Sequence, residues 1–438
     1  MNLFWKNLLG RITSTAKIEA AEKELISSMK RYDEVAKSVE LAEYQKLFHE
    51  VKSAQFIENK KTLQNRRYKD TEEHRDIVKF RKLENSKGLK MYLDVLKSME
   101  LEQFLAFKQT KEYEDLGDPK KVKLSEKLQK MKKFERSPAY KNYVRFHDSY
   151  LLKEYEQLKN HVNSPEFKSQ NEFWANPQRW KTTSEYKKEQ RYYELVKNPD
   201  IIFYNNEKPE RFQEYKSVRL TYNEEFDWNT LDKSRWDFGF HYGHPNLKGC
   251  HSFANELQAN NAGKNVAVEN GILKIATKEE RVKAPAWHTT KGFIEKEYEY
   301  TSDVLQSAES FRQKGGVFRA KIRCTGRINH AFWLGVDQKF PHINIFHFDG
   351  KAINVGNAGK NVIDGAKIKG LNPAQFYIYT LKWTDKDLVW LINDYEVYRT
   401  SSNIPKEEMF MVFNSFIPEK LKGATGCLEV DWVRVYQY

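Results

Sequence analysis

The last twelve residues of the chain, CLEVDWVRVYQY (residues 427–438), alternate apolar and polar side chains almost without interruption. Because successive side chains of a β-strand point to opposite faces, this pattern is typical of a strand with one face in a core. The same period of two recurs, between glycine, asparagine and aspartate, in GILKIATK, GVFRAKIRC, FYIYTLKW, LVWLIND and YEVYRT. Many short strands separated by turn residues predict an all-β sandwich or barrel over residues 217–438.

Residues 38–197 follow a different pattern, in which a serine precedes apolar residues three, six and nine positions later. The repeat begins at Ser38, Ser86, Ser98, Ser137 and Ser149. Serine is a favoured helix N-cap, and steps of three place the apolar residues along one helix face. Helices this short bury little surface alone, so they must stack on one another. The sequence therefore predicts an all-α array of short helices over residues 1–198, with aromatic stripes in its core and a joint at 199–216.

The charge of the chain is concentrated in its first half. Residues 1–216 contain 45 basic and 35 acidic side chains and so contribute +10 to the net charge of +13. The excess indicates either a solvated helical surface or contact with a polyanion. Nucleic acid is not favoured, since no zinc-finger or RNP motif is present. We expect the helical half to bind protein partners or further copies of the chain.

Cysteine usage and the N-terminal segment bear on the compartment. Cys250, Cys324 and Cys427 are widely spaced, which argues against a disulfide framework or a thiolate zinc site and predicts buried, reduced thiols. The sequence has no run of about 18 apolar residues, the length that a helix needs to span a bilayer. Lys6 and Arg11 interrupt the apolar start of the chain, which favours an amphipathic helix over a signal peptide. The expectation is a cytoplasmic protein or a component of an assembled particle.

Six motifs in the second half occur in an order that points to one family. They are YNEEFDWNTLDKSRW (222–236), NELQANNAGKNVAVENGILKIATKEE (255–280), YTSDVLQS (300–307), GGVFRAKIRC (315–324), HAFWLG (330–335) and GCLEVDWVRVYQY (426–438). Together they resemble glycoside hydrolase family 16, the laminarinase- and lichenase-like jelly rolls, along nearly all of residues 220–438. The resemblance implies two curved antiparallel sheets and a cleft that holds a β-glucan or galactan chain. It does not extend to the helical half, so the predicted fold class is α+β with two domains.

The stretch FPHINIFHFDG (340–350) aligns with the catalytic strand of that family, which reads E-I-D-I-x-E and contains a bulge. The resemblance places His342 at the nucleophile, Asn344 at the assisting aspartate and His347 at the acid/base. Tyr377 also stands where family members usually have histidine. Retaining hydrolysis needs two carboxyl groups about 5–5.5 Å apart. The replacements therefore predict a protein without the usual glycosidase activity.

Two hypotheses for the altered strand involve no metal. In the first, His342, Asn344 and His347 fill a disused cleft and hydrogen-bond to their neighbours. In the second, the cleft still binds sugar, because amides and imidazoles bond hydroxyl groups. Trp333 and Trp287 are then candidates to stack on pyranose rings.

Two metal hypotheses remain beside these. The two strand histidines would hold a metal ion with His288 or His330 as a third ligand, although their spacing matches no zinc motif. Separately, the resemblance implies a structural calcium ion at Asp431 and the backbone of Gly271. No other cofactor is expected.

The functional prediction is a catalytically inactive, glycosidase-like module carried on a helical assembly domain, with a structural or glycan-binding role. One alternative is an active endo-β-glycanase that uses other residues, such as Glu295, Glu297 and Glu299 on a loop near the cleft. Another is a structural or adhesion component of a virion or a secretion apparatus.

Overall fold

The chain divides into two compact units. The computed structural model describes residues 1–241, 251–360, 362–418 and 424–438. One unit consists of Met1–Asp33 together with Lys208–Tyr438, and the other of Glu34–Glu207. The first contains the β-sheets and the second is helical, which confirms the predicted fold class.

Short helices fill the chain up to residue 216. The α-helices are α1 (Phe4–Leu8), α2 (Thr15–Val35), α3 (Val39–Val51), α4 (Ala54–Asn65), α5 (Glu72–Glu84), α6 (Lys87–Leu96), α7 (Met99–Lys108), α8 (Pro119–Leu124), α9 (Glu126–Glu135), α10 (Pro138–Phe146), α11 (Tyr150–Asn163), α12 (Pro165–Ala175), α13 (Ser184–Val196), α14 (Pro199–Asn206) and α15 (Gln213–Lys216). Turns of 3₁₀ helix occur at Tyr68–Asp70, Lys111–Gly117, Arg179–Thr182 and Pro209–Phe212. None of the helices in the described ranges is long and apolar enough to cross a membrane.

Serine side chains start many of these helices, as the repeat predicts. The serine hydroxyl accepts a hydrogen bond from the backbone N–H three residues later at Ser38, Ser53, Ser98, Ser137, Ser149 and Ser164. Ser86 occupies the same position before α6 but accepts no such bond. Each cap satisfies an N–H group that the helix itself leaves unpaired.

The aromatic stripes form the core of the helical unit, which confirms that prediction. Tyr92 of α6 and Tyr143 of α10 are buried, and their rings stack with centroids 5.7 Å apart. Phe104 of α7 is fully buried against the edge of Tyr140, at 4.6 Å. Such pairs contribute stability beyond the apolar area that they bury.

The second half is a sandwich of two sheets. Its strands are β1 (Arg219–Glu224), β2 (Asp237–Phe238), β3 (Ser252–Phe253), β4 (Gln258–Asn260), β5 (Val266–Glu269), β6 (Ile272–His288), β7 (Gly292–Ser302), β8 (Val304–Gln306), β9 (Gly316–Gly326), β10 (Asn329–Gly335), β11 (His342–Asp349), β12 (Ile353–Ala358), β13 (Ile363–Ile368), β14 (Tyr377–Trp383), β15 (Leu388–Ile392), β16 (Tyr395–Thr400), β17 (Phe410–Phe416) and β18 (Gly426–Gln437). The seven-stranded sheet has the order β13-β12-β11-β10-β17-β8-β2. The eleven-stranded sheet has the order β16-β15-β14-β9-β18-β6-β7-β4, with β1 beside β18 and with β3 and β5 beside β6.

The alternation of inward and outward side chains along β18 is interrupted once. Leu428 and Val430 point into the core, and so do Val433 and Val435. The register of β18 against β9 shifts between Val430 and Trp432, so Asp431 lies at a bulge. The bulge inserts one residue and returns the next apolar pair to the core.

The first 33 residues differ from the predicted division, which assigned them to the helical domain. Leu3 is fully buried in the core of the sandwich. The backbone carbonyl of Met1 accepts a hydrogen bond from the N–H of Lys369, at 2.8 Å. Ile18 of α2 packs on Ile378 and Trp432. The segment joins the sandwich because its apolar and acidic side chains complement that unit.

The sandwich has two outer faces, formed by the side chains that point away from its core. The histidine face is the outer side of β10 and β11 and carries Trp333, His342, Asn344 and His347. The paired-charge face is the outer side of β9 and β18 and carries Arg319, Lys321, Asp431 and Arg434.

The two described cysteines are thiols with raised pKa values. Cys324 is buried, Cys427 is half-buried, and both are free thiols. Burial raises the pKa of Cys324 to about 12 and that of Cys427 to about 11, so both stay protonated at neutral pH. Cys250 lies outside the described residues.

Candidate functional site

A bulge in β11 brings three polar side chains to one face. Phe332 of β10 pairs with Phe346, whereas the next residue, Trp333, pairs with Asn344, so Ile345 is the extra residue. Ile345 and Phe346 are both buried in the core. His347 consequently lies on the same face as Asn344, although the two are an odd number of residues apart.

The three side chains make few side-chain hydrogen bonds with protein groups. His342 Nε2 lies 2.9 Å from Asn344 Oδ1, and the Trp333 ring stacks on His342 with centroids 4.5 Å apart. The Trp333 indole N–H donates to Asn414 Oδ1 at 3.0 Å. His347 Nε2 is buried and has no hydrogen-bond partner among the described residues. The face therefore holds a buried imidazole nitrogen without a partner in the described part of the chain.

Both histidines are neutral at physiological pH. Burial lowers the pKa of His342 to about 4, although the hydrogen bond with Asn344 works in the opposite direction. Burial also lowers the pKa of His347, against the attraction of the Asp349 carboxylate. A group with a pKa of about 4 carries its proton roughly once in a thousand molecules at pH 7. These imidazoles exchange hydrogen bonds but seldom supply a proton.

The central strands of this sheet offer no free carboxylate. Among β8, β10, β11, β12 and β17 the only acidic residue is Asp349. Its carboxylate lies 2.6 Å from Lys367 Nζ and accepts from the N–H groups of Lys351 and Ala352. Burial raises the pKa of Asp349, but these hydrogen bonds outweigh burial and hold the pKa below its usual range. Asp349 is thus a fixed anion that stabilises a turn.

The two tryptophan candidates are not equivalent. Trp333 is only 7% exposed, since His342 covers one side of its ring. It also packs so closely over Gly335 that a Cβ there would lie 2.6 Å from the ring. Trp287 is 39% exposed and contacts Phe293 edge-on at 4.8 Å. Trp287 therefore exposes part of its ring, whereas the Trp333 ring is largely covered by His342.

Of the two candidate third metal ligands, His330 uses both ring nitrogens in hydrogen bonds and His288 uses one. Both ring nitrogens of His330 are bonded, Nδ1 to the Ser415 hydroxyl at 2.8 Å and Nε2 to the Thr325 carbonyl at 2.9 Å. His288 Nδ1 accepts from the backbone N–H of Thr290 at 3.2 Å. Within the described ranges, no three histidine, cysteine or acidic side chains are grouped as a metal ion requires.

The residues expected to hold calcium do not fit that ion. Lys321 Nζ lies 2.6 Å from Asp431 Oδ2 and 2.9 Å from Glu19 Oε1. Gly271 lies in the turn between β5 and β6, with a positive φ of 73° that suits glycine. Because the lysine ammonium already neutralises Asp431, a divalent cation there would meet like charge.

Four further residues named in the sequence analysis take no part in the histidine face. Glu295, Glu297 and Glu299 are on a strand, β7, and not on a loop; all three are exposed on its outer side. Tyr377 is buried in the core, and its hydroxyl donates to Gln375 Oε1 at 3.1 Å.

One buried acid was not singled out in the sequence. Glu256 follows β3 and accepts from the Gln258 side-chain amide at 2.8 Å. Burial raises the pKa of Glu256 to about 7. The surrounding residues ANELQAN give no local signal of burial, and the backbone partner of Glu256 is Pro418, which is distant in the sequence.

Comparison with known proteins finds β-glucan-degrading enzymes. No family model matches the chain. Endo-1,3-1,4-beta-glycanase ExsH of Rhizobium meliloti (strain 1021) is 26% identical over 188 residues, which is 39% of this chain and 39% of that protein. The chain thus spans about two fifths of the length of the curated relative that it matches.

Solved structures match half of the chain. The catalytic domain of the laminarinase from Thermotoga petrophila RKU-1 is 21% identical at a TM-score of 0.41, over 50% of this chain and 98% of that one. SCLam, a non-specific endo-beta-1,3(4)-glucanase from family GH16, is 22% identical at 0.41, over 50% and 91%. The endo-beta-1,3-glucanase from Pyrococcus furiosus is 18% identical at 0.40, over 50% and 94%. The C-terminal half is therefore similar to family 16 glucanases, as predicted.

Proposed function

We propose that the sandwich is a glycan-recognising module that does not hydrolyse its ligand. The observation that carries this proposal is the histidine face itself. It presents neutral imidazole and amide groups, one of them unpartnered, in place of acids.

The chemistry of hydrolysis argues against turnover. A retaining glycosidase needs one carboxylate to attack the anomeric carbon and a second carboxyl group to protonate the leaving oxygen. His342 and His347 stand on the strand where the resemblance implies these groups, and their lowered pKa values leave them uncharged. An uncharged ring does not stabilise the positive charge that develops on the sugar.

The same groups suit binding. The His347 Nε2 atom and the Asn344 amide accept and donate hydrogen bonds without carrying charge, which matches sugar hydroxyl groups. Trp287 supplies an exposed ring for the apolar face of a pyranose. The ligand class supported best is a neutral β-glycan, the kind of polymer named for the similar enzymes.

The helical unit has the features of an assembly element. Residues 34–207 contain 36 basic and 29 acidic residues. Large apolar side chains are exposed on this unit at Val39, Met99, Leu124 and Tyr150, with between 70% and 87% of each accessible. We propose that this unit binds protein partners or further copies of the chain.

Sedimentation of the fragment 34–207 should show self-association or partner binding that weakens with salt; a strictly monomeric fragment that binds nothing would refute the proposal for the helical unit.

The recognition proposal is tested by incubating the full chain with laminarin and lichenan. Calorimetry should detect binding, and reducing-end analysis should detect no product. His347→Ala should weaken binding about five-fold through loss of one hydrogen bond. The matched control is His49→Ala, an exposed histidine of the helical unit. Product formation that disappears in His347→Ala would overturn the proposal in favour of an active glycanase, and absence of any binding would leave only a structural role.

A further inference from the structure

A groove opens on the outer side of the eleven-stranded sheet, remote in sequence from the altered strand. It encloses about 440 Å³, within the range of small-molecule sites. Its walls are α2, α15 and the chain after it, and its floor is formed by β9, β14 and the C-terminal residues. All of these belong to the unit that contains residues 1–33. The groove exists because α2 lies on the sandwich.

The floor of the groove contains an unsatisfied hydroxyl group. Thr380 of β14 points outward, since its neighbours Tyr379 and Leu381 point into the core. It is 3% exposed, and its Oγ1 atom has no hydrogen-bond partner in the part of the chain that the structure describes. A buried hydroxyl without a partner destabilises a fold, so its presence at the floor of a groove indicates a ligand that bonds to it.

The charges around the groove are balanced. Three basic and three acidic side chains line it: Arg211, Arg319, Lys382, Glu22, Glu214 and Asp394. Arg319 donates to Glu22, and Lys382 Nζ lies 3.0 Å from Glu214 Oε1. A ligand with net charge therefore gains no overall attraction, while paired ions still exchange hydrogen bonds with hydroxyl groups.

Aromatic rings complete the groove. Tyr215, Tyr436 and Tyr438 line it, and 54% of Tyr438 is exposed. Burial raises the pKa of Tyr436, so its phenol remains a hydrogen-bond donor at neutral pH. Flat rings beside hydroxyl donors and paired ions are complementary to an apolar ring face with a polar rim.

We propose that this groove binds a neutral saccharide of one or two rings, with a ring hydroxyl bonded to Thr380 Oγ1. The site is separate from the histidine face and does not depend on the function proposed there.

The test is a saturation-transfer NMR and calorimetric titration of the full chain with cellobiose and maltose, alongside glucuronate and glucosamine as charged analogues. Thr380→Val keeps the side-chain shape and removes the hydroxyl. It should weaken binding of the neutral disaccharide about five-fold and, in the same protein without sugar, raise Tm by about 2 °C. A loss of affinity together with a gain of stability excludes misfolding as the cause.

Trp228→Ala is the control, because Trp228 is 73% exposed and does not line the groove; it should leave this binding unchanged. The proposal is overturned if neither disaccharide receives saturation transfer, if Thr380→Val binds as the wild type does, or if a charged analogue binds more tightly. Binding that is lost in His347→Ala and kept in Thr380→Val would assign the sugar to the histidine face instead.

Discussion

The two outer faces of the sandwich treat polar groups in opposite ways. On the paired-charge face, Lys321 is held between Glu19 and Asp431, and Arg434 bonds to Glu225 at 2.8 Å. On the histidine face, the groups are neutral and His347 Nε2 has no partner in the described ranges. The ions of the paired-charge face are neutralised by the protein itself, whereas the histidine face keeps a buried imidazole nitrogen without a partner among the described residues.

The difference concerns stability on the paired-charge face and the recognition that we propose on the histidine face. Ion pairs of the paired-charge face fix the N-terminal helix α2 through Glu19 and Glu22. A buried polar atom without a partner, as His347 Nε2 is among the described residues, costs folding free energy.

The largest expected effect is that of Trp333→Ala. Trp333 packs on His342 and on the apolar cluster around Phe410, so truncation should lower the free energy of unfolding by about 4 kcal/mol. Trp287→Ala, at an exposed position, should change it by less than about 0.5 kcal/mol. Urea unfolding followed by the β-sheet circular dichroism signal measures both. Equal effects on the free energy of unfolding would show that the Trp333 side chain is no more tightly packed than that of Trp287.

Acid should destabilise the histidine face. The folded-state pKa of His342 lies below its unfolded value because burial disfavours the charged ring. The contribution of neutral His342 to the free energy of unfolding is complete above pH 6.5. About 3 kcal/mol of it is lost as the pH falls towards 4. Glu256 works in the opposite sense, since burial raises its folded pKa to about 7.

The wild type must therefore be compared with His342→Gln. This variant lacks the contribution of His342 and keeps that of Glu256. The stability of the variant should fall less between pH 6.5 and 4. Parallel curves for the two proteins would contradict a buried, neutral His342.

A smaller loss is expected on the paired-charge face. Lys321→Ala leaves Glu19 and Asp431 without their shared cation, and the Lys321 side chain is only 16% exposed. The free energy of unfolding should fall by about 2 kcal/mol. Lys127→Ala breaks an ion pair whose partners are both 58% exposed and should cost about 0.5 kcal/mol or less. A Lys321 effect no larger than that of Lys127 would remove the contrast between the faces.

Local patterns predicted much of the fold. The alternation in residues 427–438 and the serine-led repeats report on neighbours a few residues apart, and both the strands and the helix caps formed as expected. Long-range partners could not be read in this way. The first 33 residues join the sandwich through Glu19, whose partner Lys321 is 302 residues away.

The candidate site shows the same contrast between features that the sequence predicts and contacts that it does not. The bulge and the shared face of His342, Asn344 and His347 followed from the resemblance. The covering of Trp333 by His342 did not, because it depends on how two paired strands place their rings. The ion pair of Asp431 with Lys321 was likewise hidden, since the lysine is on a different strand from Asp431.

The most direct test of the central claim is a ¹⁵N-histidine NMR spectrum recorded at pH 7 during titration with a laminarin oligosaccharide. We predict neutral ring signals for His342 and His347, a shift of His347 Nε2 as sugar is added, an unchanged His49, and an intact oligosaccharide after prolonged incubation. A protonated His347, an unmoved His347 signal, or cleavage of the oligosaccharide would contradict recognition without hydrolysis.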